Sequence, residues 1–127
     1  MKRILLVDDD PLVRGTLHAM LARAGYEVED ADNGETALDA FAREPHDVVI
    51  TDLVMPDREG LETIRELRRR FGDVRIIAIS GGGVGSASHY LQAAKRLGAV
   101  CALSKPFSND EILAAVEEAL AWTDPGQ

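Results

Sequence analysis

Short, unbroken apolar runs alternate along the chain with longer stretches in which apolar residues recur at every third or fourth position. Ile4-Leu5-Leu6-Val7, Val48-Val49-Ile50 and Ile76-Ile77-Ala78-Ile79 belong to the first kind. Continuous branched segments of this length are expected of strands covered by helices on both faces. Tyr26 and Val28 alternate with Glu27 and Glu29, which predicts a half-exposed strand at a sheet edge. Val100 to Leu103, following the helix-stopping Gly98, predicts a fifth and compositionally weaker strand. Between these runs, Leu12, Val13, Leu17, Met20, Leu21 and Ala24 form a helical stripe that ends at Gly25. Asp32 or Asn33 caps a second helix carrying Ala37, Leu38 and Phe41, and Leu61, Ile64, Leu67 and Phe71 form the stripe of a third. A fourth helix should begin near Ser86 or Ser88 and carry Leu91, Ala94 and Leu97. The fifth opens on a capping box, Ser108 with Glu111, ahead of Ile112, Leu113, Val116 and Leu120. Strand and helix therefore alternate through five pairs, the pattern of an α/β domain with a doubly wound parallel sheet. The expected domain covers residues 1–122, with 123–127 as a short tail.

Composition narrows the function classes more than the fold. At 127 residues the chain has the size of one domain, and 46% apolar residues can build a core without disulfides or a structural metal. Fourteen Lys and Arg against 22 Asp and Glu leave a formal charge of −8, which argues against nucleic acid and anionic membranes as partners. Cys101 is the one cysteine, flanked by Val100, Ala102 and Leu103, and reads as an inert core residue. The apolar run after Met1-Lys2-Arg3 ends within four residues at aspartates, too short for a signal peptide or a membrane span, so a cytoplasmic protein is expected. His18, His46 and His89 lack metal-ligand spacing, Arg68-Arg69-Arg70 reads as a solvated face, and Trp122 as a packing residue.

The reactive side chains collect at the strand exits. Asp8 and Asp9 follow the first run, Asp52 the third, Ser80 the fourth and Lys105 the fifth. Open parallel sheets bind ligands outside the carboxyl ends of their strands, and strand order 2-1-3-4-5 would bring these groups into one crevice. At an effective dielectric near 20, two carboxylates about 4 Å apart repel by roughly 4 kcal/mol, so the site must take up a cation or hold protons. Mg²⁺ suits an all-oxygen set that leaves positions open for phosphate oxygens. An Asp carboxylate can attack phosphorus, Lys105 can neutralise the transferring group, and the Ser80 hydroxyl can donate to a phosphoryl oxygen.

Taken together, Val7-Asp8-Asp9, Asp52-Leu53-Val54-Met55-Pro56 followed by Gly60, Ile79-Ser80-Gly81 and Lys105-Pro106-Phe107 resemble the receiver domain of two-component response regulators, over essentially the whole chain. The resemblance implies a flavodoxin-like fold of the chemotaxis-regulator type. It further implies phosphorylation at Asp52, direct Mg²⁺ binding by Asp9, assistance from Asp8 through a metal-bound water, and a backbone ligand from the Val54 carbonyl. Lys105 would pair with the phosphoryl group, and Lys105-Pro106 would be cis. A sensor histidine kinase or a histidine phosphotransfer protein would supply the phosphoryl group. Two positions depart from the pattern: Ala102 stands where many relatives carry an inward-rotating Tyr or Phe, and Glu59 replaces the commoner Asp before Gly60. Without the aromatic, the Gly81-Gly82-Gly83-Val84-Gly85 loop is expected to carry the change, and Asp10 to serve as a helix cap.

The expectation is a stand-alone phosphorylation switch that signals through protein contacts and promotes its own phosphorylation and dephosphorylation without being an enzyme in purpose. Two other classes stay open on the sequence: a small Mg²⁺-dependent phosphatase or phosphotransferase with an aspartyl nucleophile, and a flavodoxin-like cofactor carrier, against which the acidic crevice argues.

Overall fold

The structure, a computed structural model, describes residues 1–53, 59–81 and 92–122. The elements run β1 (Arg3–Val7), α1 (Pro11–Arg23), β2 (Glu27–Ala31), α2 (Gly34–Arg43), β3 (Val48–Asp52), α3 (Glu59–Phe71), β4 (Ile76–Ser80), α4 (described over 92–96), β5 (Cys101–Ser104) and α5 (Asn109–Ala121). The five strands form one parallel sheet in the order β2-β1-β3-β4-β5.

Alternation along each strand divides the core. Leu5, Val7, Val49, Ile76 and Ala78 point to one face, where they meet Ala37 and Phe41 of α2, Ile64 and Leu67 of α3, and Ala94 of α4. Ile4, Leu6, Val48, Ile50, Ile77 and Ile79 point to the other, against Leu17 and Leu21 of α1 and Ile112, Ala115 and Val116 of α5. The central strands β3 and β4 are buried at every position, which is why they begin with the apolar runs Val48-Val49-Ile50 and Ile76-Ile77-Ala78-Ile79 before polar residues at their carboxyl ends. Each fully buried Leu or Ile contributes about 1.5–3 kcal/mol relative to exposure, so these two layers dominate the driving force for the fold.

Helix ends follow local chemistry. The Asp10 carboxylate accepts from the Leu12 and Val13 amides at 2.9 and 3.5 Å, Asn33 accepts from Thr36 at 2.8 Å, and Ser108 with Glu111 completes the capping box. Gly25, at φ +99°, takes the left-handed conformation beyond the end of α1.

Several expectations are corrected. Leu12 is 79% exposed, because it stands five residues before Leu17 and so about 140° around the helix from the buried stripe. Ala24 is exposed as well, since it caps α1 rather than continuing it. Phe71 keeps 37% exposure while its ring leans on Phe41, with centroids 4.9 Å apart. Arg68 is not part of a solvated face: its guanidinium donates to the Val74 carbonyl at 3.4 Å and lies over Gly98, where a Cβ would come within 2.7 Å of Nε. Arg69 and Arg70 are exposed and pair with Glu66 at 2.7 and 3.3 Å. The expected starts of the fourth helix at Ser86 or Ser88, its Leu91, His89, the 82–85 part of the glycine loop and the tail lie outside the described residues.

Cys101 is buried, and burial together with the nearby Glu118 pushes its thiol up to about 11, which leaves it protonated and inert. The His46 side chain is buried against Phe41 with Nε2 2.8 Å from Glu29, and burial lowers its pKa.

Candidate functional site

Parallel register brings the strand ends level. Val7 is paired with Ala31 on one side and Thr51 on the other, Asp52 with Ile79, and Ser80 with Ser104. Asp8 therefore leaves β1 beside the Asp52 end of β3, while Lys105 leaves β5 beside Ser80. Residues up to 97 positions apart in sequence meet at the carboxyl edge of the sheet, as the strand order predicts.

Carboxylate oxygens of Asp8, Asp9 and Asp52 all lie within 4.8 Å of one another. Asp8 is fully buried and Asp52 is 5% exposed, whereas Asp9 faces solvent. The Lys105 ammonium stands 3.2 Å from Asp52 Oδ2 and 3.7 Å from Asp8 Oδ2. One Asp8 oxygen accepts from the Asp10 amide at 2.9 Å, while the other is buried without a hydrogen-bond donor among the described residues. The buried Ser80 hydroxyl also lacks a partner there. A single ammonium does not balance three acids. Burial in the first place, and the neighbouring Asp52 and Asp9 charges with it, push Asp8 up to about 6, against the opposing pull of the Asp10 amide and Lys105.

Buried oxygens left short of donors beside clustered carboxylates are costly unless a cation or ligand completes them. The pocket fits a hard divalent ion such as Mg²⁺: the donors are all oxygens, and the Asp8 carboxylate, one oxygen of which lacks a hydrogen bond among the described residues, belongs to the same cluster as Asp9 and Asp52. Lys105 reaches that pocket because residue 81 is a glycine. A Cβ there would come within 2.9 Å of the Lys105 Cδ. The Lys105-Pro106 peptide is cis, in agreement with the expectation. Of the site residues read from sequence, the structure brings together Asp8, Asp9, Asp52 and Lys105, and places Ser80 at the neighbouring strand end; Val54 lies outside the described residues. Sequence reasoning passed over Arg14, whose guanidinium donates to the Asp8 carbonyl at 2.7 Å. Its only signal is a basic residue one turn into the helix that follows the acidic pair.

An open 2-1-3-4-5 sheet with carboxylates, a lysine and a hydroxyl-bearing strand end at its carboxyl edge is an α/β fold of the chemotaxis-regulator type. Residues 4–117 match the response regulator receiver domain, and the chain belongs to that family, a signalling family of two-component systems. It is 40% identical over 123 residues to the response regulator MprA of Mycolicibacterium vanbaalenii, covering 97% of this chain and 52% of that protein. The MprA protein of Mycobacterium leprae is 39% identical, with 97% and 53% covered. The chain thus spans about half the length of these relatives. Among solved structures, the receiver domain of NtrX from Brucella abortus superposes with a TM-score of 0.88 at 28% identity, over 94% of this chain and 99% of that one. The chemotaxis response regulator CheY4 of Vibrio cholerae gives 0.83 at 30% identity, over 94% and 99%. No helix among the described residues is long and apolar enough to cross a membrane.

Proposed function

We propose that residues 1–122 act as a phosphorylation switch in which Asp52 accepts a phosphoryl group from a phosphohistidine on a sensor kinase or phosphotransfer protein, with Mg²⁺ held by Asp8, Asp9, Asp52 and the Val54 carbonyl. The observation that carries this reading is the meeting of Asp8, Asp9 and Asp52 within 4.8 Å, with Lys105 3.2 Å from Asp52.

A bound Mg²⁺ would neutralise charge on the phosphoryl oxygens and offset the repulsion among the carboxylates. An Asp52 oxygen forms the new O–P bond as the donor's N–P bond breaks, and the departing imidazole nitrogen keeps the electron pair and gains a proton from water. Lys105, already beside Asp52, pairs with a transferred phosphoryl oxygen. The Ser80 hydroxyl, without a partner among the described residues, supplies a donor to another. Attack by water on phosphorus later breaks the O–P bond and restores the Asp52 carboxylate, releasing phosphate. The phosphorylated state favours one conformation only as far as these contacts are stronger in it, and that difference is what a downstream protein reads.

Mg²⁺-dependent labelling by acetyl phosphate tests the reading. The wild-type chain should take up one phosphoryl group, lost with an acyl phosphate's lability to base, and Asp52→Asn should abolish it. Persistent labelling in Asp52→Asn would place the acceptor elsewhere. Multiple turnover of a phosphate ester would move the protein into the enzyme class.

A further inference from the structure

Arg14 binds nothing that a metal site needs directly, yet it is held at the edge of the acidic pocket. Its Nη1 donates to the Asp8 carbonyl at 2.7 Å, and its Nε lies 3.7 Å from Asp30 Oδ2 at the end of β2. Asp30 is held in turn by His18 Nδ1 on the next turn of α1, 2.7 Å from Oδ1. On the other side of the same residue, the Asp8 amide donates to the Ala31 carbonyl at 3.1 Å. Asp8 is thus fixed at its N–H from β2 and at its C=O from α1.

The Asp8 carbonyl belongs to the same rigid plane as the Asp9 amide. A donor that fixes this oxygen therefore sets the direction in which the chain, and with it the Asp9 side chain, leaves the strand. Asp9 is exposed, beside two buried acids. Arg14 carries positive charge, so its place next to a cation pocket opposes metal binding electrostatically; orientation is what it offers in return. The guanidinium meets the two acceptors from different nitrogens of one planar fork, Nη1 on the carbonyl and Nε beside the carboxylate, a spacing that lysine's single nitrogen on a flexible stem does not preset.

We propose that Arg14 is a positioning residue for the acidic pocket: braced on Asp30, it locks the Asp8–Asp9 peptide so that both carboxylates converge with Asp52 on one ion. The proposal depends on the reading of the pocket as a Mg²⁺ site. Outer partners of metal ligands typically contribute about 10–100-fold in affinity. Arg14→Ala and Arg14→Lys should each bind Mg²⁺ at least about ten-fold more weakly in calorimetric titrations of metal-free protein, while circular dichroism and cooperative unfolding remain as in the wild type. In metal-free protein the Asp10 amide, which donates to Asp8 Oδ1, should exchange with solvent several-fold faster in both variants. Asp30→Asn should weaken Mg²⁺ less than either, and its effect should vanish in the Arg14→Ala background, since it acts through Arg14. Unchanged affinity in the Lys variant, or tighter binding in Arg14→Ala, would overturn the proposal and leave Arg14 as a charge only. A wild-type chain that takes up no Mg²⁺ would overturn the metal reading and the clamp together, whereas normal uptake with unaffected variants overturns the clamp alone.

Discussion

Asp8 is held between opposing demands. It is fully buried beside other acids, and its pKa rises to about 6 from an ordinary 3.8. Below pH 3.8 both folded and unfolded chains carry it protonated; between there and 6 the folded chain holds the proton more tightly, so its ionisation removes stability as pH rises. Asp8→Asn should therefore stabilise metal-free protein at pH 7.5 by about 1–3 kcal/mol in denaturant unfolding, a gain that shrinks as pH falls through 6 and disappears near pH 3.5. With Mg²⁺ present the order should reverse, because asparagine gives up a charged ligand. By the same linkage, Mg²⁺ affinity of the wild type should fall on acidification below about pH 6, with close to one proton released per ion bound, as calorimetry in buffers of different ionisation enthalpy would register. Asp8, Asp9, Asp52 and Lys105 were legible as site residues because each follows an apolar run, whereas Arg14 was not, since nothing in its spacing tells which backbone carbonyl it meets.

Elements carry the site by how closely they pack. Gly60, in the first turn of α3, lies so near the end of β3 that a Cβ would overlap the Asp52 carbonyl oxygen and the Leu53 Cα, both backbone atoms unable to rotate aside. Gly60→Ala should destabilise by about 1–3 kcal/mol and also depress acetyl phosphate labelling, because relief of the overlap shifts the strand end that carries Asp52. Ile64→Ala, one turn on and fully buried, should cost about 2–5 kcal/mol in urea unfolding while sparing the labelling of the protein that remains folded. That contrast separates support of the site from support of the core. Strand existence was readable at this scale, since double-sided burial demands unbroken apolar runs. Which face of α1 packs was read less well: Leu12 is apolar yet off the stripe, and only the helix's rotation against the sheet shows it.

At the scale of the whole molecule, the parallel register gathers acids from distant segments, and the fold bears their repulsion in addition to a formal charge of −8. Binding that favours the folded chain stabilises it by mass action, about 2.7 kcal/mol at 100 times the dissociation constant. Mg²⁺ with beryllofluoride, a phosphoryl mimic, should accordingly raise the melting temperature well beyond Mg²⁺ alone. Asp52→Asn should lose that increment.

By itself the sequence determined the alternation of strands and helices, the caps at Asp10 and Ser108, the choice of Asp32 or Asn33 for the second helix, and the polar residue that ends each apolar run, because period, capping and burial are local demands on side chains. Only the tertiary structure decided that one Asp8 oxygen has no hydrogen-bond donor among the described residues, that Lys105 lies across Gly81, that Arg68 leans on Gly98 and that Arg14 holds the Asp8 carbonyl. Those facts arise from contacts between chain segments whose separation in space is set by register and packing, and no local pattern encodes them.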